Sequence, residues 1–113
     1  RYGPLTLLGL RRQRNGDEQV IDLYWRVEAG VEGDYTSTVQ LFAGEEKLAQ
    51  DDRPPGGVFI PTSAWLPGQI VQDRHLLPAT PAPQRLLVGL YRVDAAGGFH
   101  FLAPPLEFPY PSP

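Results

Sequence analysis

The chain has 113 residues, of which 42% are hydrophobic and 20% are charged, and its formal net charge is −3. This length fits one domain that buries a core of its own. The absence of Cys excludes disulfides, thiolate metal sites and a Cys nucleophile. The basic residues are too few and too scattered to form the surface that a nucleic-acid partner requires.

The first residue is Arg1, and the sequence contains no Met. Because a natural chain starts with Met, we expect residues 1–113 to be a single β-sandwich domain excised from a longer protein. No apolar run approaches the ~20 residues of a membrane span. We therefore expect no membrane insertion by this domain itself.

Short strands are predicted along the whole chain. The 13 Pro and 12 Gly residues are spread over many positions and forbid long helices. The clearest strand runs from Gln19 to Glu28, where apolar and polar residues alternate and Trp25 lies on the apolar face. Other strands are predicted at 5–10, 35–42, 47–50, 69–77, 85–93 and 99–102, followed by an extended Pro-rich tail from residue 104.

About seven strands in one domain predict an all-β fold, an antiparallel two-sheet sandwich of the immunoglobulin-like or jelly-roll type. A β-barrel is the alternative architecture. We expect helix beyond a single turn to be absent. The side chains expected in one shared core are those of Ile21, Leu23, Trp25, Val27, Val39, Leu41, Val88 and Leu90.

Residues 50–73 form the most unusual segment, because they combine many Pro and Gly residues with apolar and aromatic ones. This composition is wrong for a helix and too apolar for a disordered linker. It predicts an ordered excursion over 51–68 that leaves a sheet and returns to it. Trp65 is expected to be buried where the excursion meets the core.

Four polar residues are predicted to structure this excursion. Asp73 alternates with apolar residues on its strand, so a half-buried carboxylate there must accept hydrogen bonds. Backbone N–H groups at and after Thr62 are the expected donors. Gln50 is expected to help Asp73 hold the loop, and Asp51 to cap a turn.

Several segments match a known pattern in order and spacing: Leu23-Tyr24-Trp25-Arg26, Asp34-Tyr35-Thr36, Gln50 to Pro55, Pro61-Thr62-Ser63-Ala64-Trp65, Pro67-Gly68 and Val88-Gly89-Leu90-Tyr91. In these segments the chain resembles an uncharacterised bacterial β-sandwich domain. Such domains occur at the C-terminal, extracytoplasmic end of multi-spanning membrane proteins similar to lipid-linked-sugar glycosyltransferases. The resemblance implies a sandwich fold and an extracytoplasmic location, and it transfers no catalytic residue.

The sequence gives little support for catalysis. The only histidines are His75 and His100, so a Ser-His-Asp site would need one of them beside Ser37 or Ser63. No Gly-x-Ser-x-Gly motif accompanies either serine. We therefore expect both histidines to be partly exposed strand residues, and we predict a protein that is not an enzyme and uses no cofactor.

A calcium site is a further possibility to weigh. Asp51, Asp52 and Asp73 would meet if the strands before and after the excursion were neighbours. Ca²⁺ is bound by carboxylate and carbonyl oxygens, but this spacing matches no familiar calcium loop. The sequence leaves the question open, and no metal ligand is predicted.

Exposed aromatic rings are the candidate ligand contacts, because sugars stack on such rings. Tyr24 and Tyr91 are expected on the outward faces of their strands, where they would form one patch if those strands were neighbours. Trp65 is a weaker candidate because it is expected to be buried. Tyr35 and Phe59 complete the set.

Two functions remain after this elimination. The first is a non-catalytic accessory or interaction domain of a larger extracytoplasmic or membrane-anchored protein, with other domains of that protein as partners. The alternative is a carbohydrate-binding module with a glycan as ligand and, optionally, a structural calcium ion. Both need only a shaped surface on a rigid scaffold, without a poised acid, base or nucleophile.

Overall fold

The computed structural model describes residues 1–57 and 60–110, which form two antiparallel sheets packed as a sandwich. The strands are β1 (Leu5–Asn15), β2 (Glu18–Val27), β3 (Thr36–Ala43), β4 (Glu46–Arg53), β5 (Ile70–Pro78), β6 (Arg85–Val93), β7 (Phe99–Phe101) and β8 (Leu106–Pro109). The helical content of the described ranges is one short 3₁₀ turn, Thr62–Ala64. The predicted all-β sandwich is therefore confirmed. Within these ranges, no helix has the length and apolar character needed to cross a membrane.

The order of the strands shows how the chain passes between the two sheets. One sheet has the order β1-β2-β5, and the other has β4-β3-β6, with β7 and β8 both paired to the far edge of β6. The chain therefore changes sheet after β2, after β4 and after β5. The fourth strand thus pairs with the third, whereas immunoglobulin constant-type sandwiches place it in the sheet of the first, second and fifth.

Several strands are longer than the sequence predicts. β1 extends to Asn15 because a tight turn at Gly16, with φ of 65°, lets Asn15 pair with Glu18. β4 extends to Arg53, which still pairs with Ser37 of β3. The tail predicted as extended forms β8 because the first half of β6 offers a free edge beyond the three-residue β7.

The core lies between the sheets and matches the prediction. All eight expected side chains have no solvent exposure: Ile21, Leu23, Trp25, Val27, Val39, Leu41, Val88 and Leu90. Strand alternation sends every second residue of β2, β3 and β6 into this layer. Trp25 lies on the second strand, where its ring centroid is 5.5 Å from that of Tyr2.

Tyr2 is a core residue that the sequence pattern does not reveal. Its hydroxyl accepts a hydrogen bond from the backbone N–H of Leu90 (3.0 Å) and donates one to the carbonyl of Ala103 (2.9 Å). It thus occupies the break between β7 and β8 on the edge of β6. Without it, a buried backbone donor would have no partner.

The excursion between β4 and β5 packs Trp65 into the sandwich, as predicted. The Trp65 side chain is 2% exposed, and its indole N–H donates to the carbonyl of Ile60 (3.1 Å). Val58 and Phe59 lie outside the described residues. The prediction that the excursion is ordered is therefore tested only on its remaining residues.

Thr62 attaches this excursion to the connection between β2 and β3. Its hydroxyl donates to the carbonyl of Gly33 (2.7 Å) and accepts from the backbone N–H of Tyr35 (2.9 Å). The backbone N–H of Ser63 binds the Asp34 carboxylate (3.2 Å). The loop is therefore held by its neighbouring loop and by Trp65.

Replacing the buried indole should destabilise the domain strongly. We expect Trp65→Ala to lower the free energy of unfolding by about 3–5 kcal/mol, because it removes a large aromatic side chain and leaves a cavity. Urea denaturation measures this loss. Leu66→Ala is the matched control, since Leu66 is 63% exposed and its loss should change stability by less than about 0.5 kcal/mol. Equal effects of the two variants would contradict the burial of Trp65.

Removing the Tyr2 hydroxyl should also be costly. Tyr2→Phe keeps the ring but leaves the N–H of Leu90 unpaired, and we expect a loss of about 1–3 kcal/mol. Tyr24→Phe, which removes a hydroxyl on the outer face of β2, is the control and should have little effect. Denaturation curves of the two variants measure this difference. Coinciding curves would contradict the hydrogen bonds assigned to the Tyr2 hydroxyl.

Candidate functional site

An aromatic face lies on the outer surface of the five-stranded sheet, and we define it as Tyr91, Val93, Phe99 and Phe101. Phe99 is 69% exposed, Val93 51% and Phe101 41%. The ring centroid of Tyr91 is 5.4 Å from that of Phe99 and 6.1 Å from that of Phe101. Tyr91 thus packs against both phenylalanine rings, while Phe99 and Phe101 remain open to solvent.

The β6–β7 hairpin positions these rings. Tyr91 pairs with Phe101 and Val93 pairs with Phe99, so all four side chains project from the same face. Asp94 closes the turn between the strands. One of its carboxylate oxygens, Oδ1, accepts from the backbone N–H groups of Ala96 (2.9 Å) and Gly98 (2.8 Å).

His100 is exposed, as predicted, and supports the same turn. Its Nε2 lies 2.6 Å from Oδ2 of Asp94. This hydrogen bond lowers the pKa of the Asp94 carboxyl below its ordinary value. The turn beside the apolar rings is therefore held by hydrogen bonds to the charged Asp94 carboxylate.

Polar side chains of β4 border the aromatic face. The Tyr91 hydroxyl donates to Oδ2 of Asp52 (3.1 Å). Burial and this bond to Asp52 raise the pKa of Tyr91. Gln50 also donates to Oδ2 of Asp52 (2.8 Å) and accepts from Lys47 (2.7 Å). Gln50 therefore belongs to this border, and the prediction that it holds the excursion is wrong, because its side chain points outward from β4.

Tyr24 and Tyr91 do not form one patch. Tyr24 lies on β2 and Tyr91 on β6, which belong to different sheets. Each ring projects from the outer surface of its own sheet, so the core separates them. The other aromatic candidates contribute no exposed platform: Trp65 is buried, Tyr35 is packed against the core, and Phe59 lies outside the described residues.

The outer surface around Tyr24 instead contains a shielded ion pair. Asp22 is 3% exposed and accepts two hydrogen bonds from the Arg74 guanidinium (2.9 and 3.2 Å). Burial opposes ionisation of Asp22, but Arg74 outweighs it and the pKa of this carboxyl is lowered. Asp22 and Arg74 are direct cross-strand partners, so the pair fixes the register between β2 and β5.

A buried polar network joins the two sheets near their β4 and β5 edges. We call it the His75 network: Trp25, Ser37, Asp51, Arg53, Asp73 and His75. The Asp73 carboxylate has 1% exposure and accepts hydrogen bonds at Oδ2 from the Trp25 indole N–H (3.2 Å) and the Ser37 hydroxyl (2.5 Å). The prediction that loop N–H groups at Thr62 bind Asp73 is therefore wrong, because the neighbouring strand β2 and the facing strand β3 supply the donors.

His75 occupies the centre of this network. It has no solvent exposure, so the prediction of a partly exposed histidine is wrong for His75. Its Nδ1 lies 2.8 Å from Oδ2 of Asp51 and 3.1 Å from the carbonyl oxygen of the same residue. Its Nε2 lies 2.9 Å from Oγ of Ser37 and 3.0 Å from Oδ1 of Asp73.

These contacts resemble those of a serine-hydrolase triad. A serine hydroxyl meets one imidazole nitrogen, and a carboxylate meets the other. Ser37 and His75 are nevertheless fully buried, and the Ser37 hydroxyl donates its proton to Asp73. Their burial leaves no path for a substrate carbonyl to reach Ser37 in this conformation.

The three carboxylates considered for calcium are not gathered around one point. Asp52 projects outward to Tyr91, whereas Asp51 projects inward and binds Arg53 at 2.7 and 3.0 Å. The imidazole of His75 lies between Asp51 and Asp73. Among the described residues, no group of three or more His, Cys, Asp or Glu side chains is arranged to hold a metal ion.

Two opposing effects set the pKa of His75. Burial favours the neutral imidazole, but the neighbouring carboxylates of Asp73 and Asp51 favour the charged form more strongly. The pKa of His75 is therefore raised above its ordinary value.

Comparison with known proteins supplies no function. The chain matches no protein-family model, no curated protein and no solved structure. Its relation to known proteins is therefore an architectural one, that of an all-β domain with two packed sheets. Function has to be argued from the surfaces of the domain, because a sandwich fold supports many activities.

Because Ser37 is buried, we expect its hydroxyl not to react with reagents in solution. A fluorophosphonate probe that labels activated serines should leave Ser37 unmodified in the folded protein, since the hydroxyl is buried and already donates to Asp73. Peptide mass spectrometry after labelling checks this, with an active serine hydrolase as the positive control. Labelling of Ser37 that disappears in His75→Gln would show that the network is catalytic.

Proposed function

We propose that the chain is a non-catalytic interaction domain of a larger protein and that the aromatic face is its contact surface. The observation that supports this most is the exposure of Phe99 and its neighbours on a rigid sheet. Soluble domains expose clustered large apolar side chains mainly where another surface covers them. The partner we propose is another domain of the same protein.

The composition of the aromatic face favours a protein surface as its partner. Phe99, Phe101 and Val93 have no polar atoms, whereas Asp52 and Gln50 border them with groups that can bond to a partner. An apolar centre with a polar border is the usual anatomy of a protein interface. In addition, β6 is the one described strand that pairs with β7, and the other edge of β7 can accept a further strand.

The cellular setting is proposed from sequence. The segments around Pro61-Thr62-Ser63 and Val88-Gly89-Leu90-Tyr91 resemble those of domains at the extracytoplasmic end of bacterial membrane proteins. We propose the same setting here, with the domain outside the cytoplasm and its partner domain in the attached membrane protein. The mild negative charge of the domain is compatible with this setting.

A glycan is the second candidate ligand for the same surface. The Tyr91 ring has its hydroxyl held by Asp52, and Thr36 is its direct partner on β3. Rings beside hydroxyl and carboxylate groups are able to stack on a sugar and to bond its hydroxyls. The proposed glycan site needs no calcium ion, because its polar groups act directly.

Amide hydrogen exchange tests the interaction domain. We expect the backbone amides of Phe99–Phe101 to exchange more slowly in the longer native protein than in residues 1–113 alone, because a covered edge opens less often. Phe99→Ser combined with Phe101→Ser should abolish this difference. Leu66→Ser, an equally exposed position on another surface, is the control and should preserve it. Unchanged exchange in the longer protein would contradict the proposal.

Chemical-shift mapping with a panel of oligosaccharides separates the two candidates. Shifts centred on Tyr91 and its neighbours would favour the glycan, whereas no shifts together with protection in the longer protein would favour the interaction domain. Tyr24, on the opposite surface, serves as the internal control. Shifts centred on Tyr24 would place the site on the other sheet and overturn both assignments.

A further inference from the structure

The protonation of His75 follows from what surrounds its ring. Nδ1 faces the carboxylate and the carbonyl oxygen of Asp51, and a carbonyl can only accept a hydrogen bond. Nδ1 must therefore carry a proton. A neutral imidazole would then have an unprotonated Nε2 with its lone pair directed at the other neighbours.

The neighbours of Nε2 are also acceptors. The Ser37 hydroxyl gives its proton to Asp73 across 2.5 Å, so its oxygen is free to accept from Nε2 at 2.9 Å. Oδ1 of Asp73 lies 3.0 Å from Nε2 and receives no hydrogen bond from another group of the described residues, so it too is an acceptor that faces Nε2. An unprotonated Nε2 would face a buried carboxylate without compensation.

The charges facing His75 balance when the ring is protonated. Asp73 on its own strand and Asp51 on β4 face the ring, and Arg53 on β4 binds Asp51 from the partly exposed side. β3 contributes the uncharged Ser37 and β2 contributes apolar or indole side chains. One imidazolium and one guanidinium thus balance two carboxylates, and the His75 network as a whole is neutral.

We infer that His75 is a buried imidazolium that clamps β4 of one sheet to β5 of the other, and that this clamp releases as the pH rises. β4 and β5 are edge strands of different sheets, so no backbone ladder joins them. The contacts of His75 with Asp51 take the place of such a ladder. When His75 loses its proton, the buried Asp73 carboxylate has no neighbouring cation. The contact between β4 and β5 then weakens before the rest of the sandwich.

The direction of the pH effect follows from linkage. Since the pKa of His75 is higher in the folded protein than in the unfolded chain, the stabilisation is complete below the ordinary histidine pKa of about 6.5. It is lost as the pH rises through the folded-state pKa. Between these two values, the folded state holds one more proton, and the unfolding constant increases about tenfold per pH unit.

Nitrogen NMR of the histidine rings tests the inference on the intact chain. With ¹⁵N-histidine at neutral pH, both ring nitrogens of His75 should have the shifts of a protonated imidazolium, with assignment by comparison to His100→Gln. A His75 ring with one unprotonated nitrogen at neutral pH would overturn the inference. This measurement does not depend on any variant of the network being folded.

Exchange and denaturation across pH test the clamp. Above the transition, amides of β4 should lose protection, corrected for intrinsic exchange, before those of β2 and β3. The pH dependence of the unfolding constant should persist in His100→Gln and flatten in His75→Gln. Simultaneous loss of protection in all strands, or an unchanged slope in a folded His75→Gln, would show that His75 is not the clamp.

Discussion

The indole N–H of Trp25 places a constraint on the whole interior. Trp25 is at the centre of the core with no exposure, and a buried indole needs an acceptor. Asp73 on the neighbouring strand supplies it, which brings a carboxylate into the core. That charge in turn requires compensation, because an isolated carboxylate in an apolar interior is very unfavourable. Ser37 and His75 provide the compensation from β3 and β5.

The same requirement then reaches β4. A charged His75 needs acceptors on both ring nitrogens, and Asp51 satisfies the one that Asp73 and Ser37 do not. Arg53 neutralises Asp51 at the border of the core. The network therefore runs across the sandwich from β2 to the edge of β4. Successive side chains of β4 point to opposite sides of the sheet, so Asp51 faces the core and Asp52 borders the aromatic face.

The sequence predicts the fold and core well because both depend on local patterns. Alternation along Gln19–Glu28 places Trp25 inside, and the composition of the excursion predicts the burial of Trp65. The partners of Asp73 were not predictable in this way. Trp25 and Ser37 are separated from it by 48 and 36 positions, and only the pairing of strands and the packing of sheets bring them together.

The candidate site, too, is predictable from local sequence patterns only in part. The outward orientation of Tyr91 follows from alternation, but its companions depend on which strands are neighbours. Tyr24 has the same local pattern, yet it lies on the other sheet. Phe99 and Phe101 carry only a short hairpin signal, and their exposure depends on β7 being an edge strand. A sequence pattern gives the direction of a side chain along a strand and says nothing about the order of strands in a sheet.

The position of Tyr2 also has a kinetic consequence. Its hydroxyl closes contacts with Leu90 and Ala103, which are 88 and 101 positions further along the chain. Closing loops of this length has a high entropic cost, so such contacts are expected to form after β2, β3 and β6 have assembled. A contact that is absent from the folding transition state affects the rate of unfolding and leaves the rate of folding almost unchanged. We therefore expect the Tyr2 hydroxyl to lengthen the lifetime of the folded sandwich rather than to speed its formation.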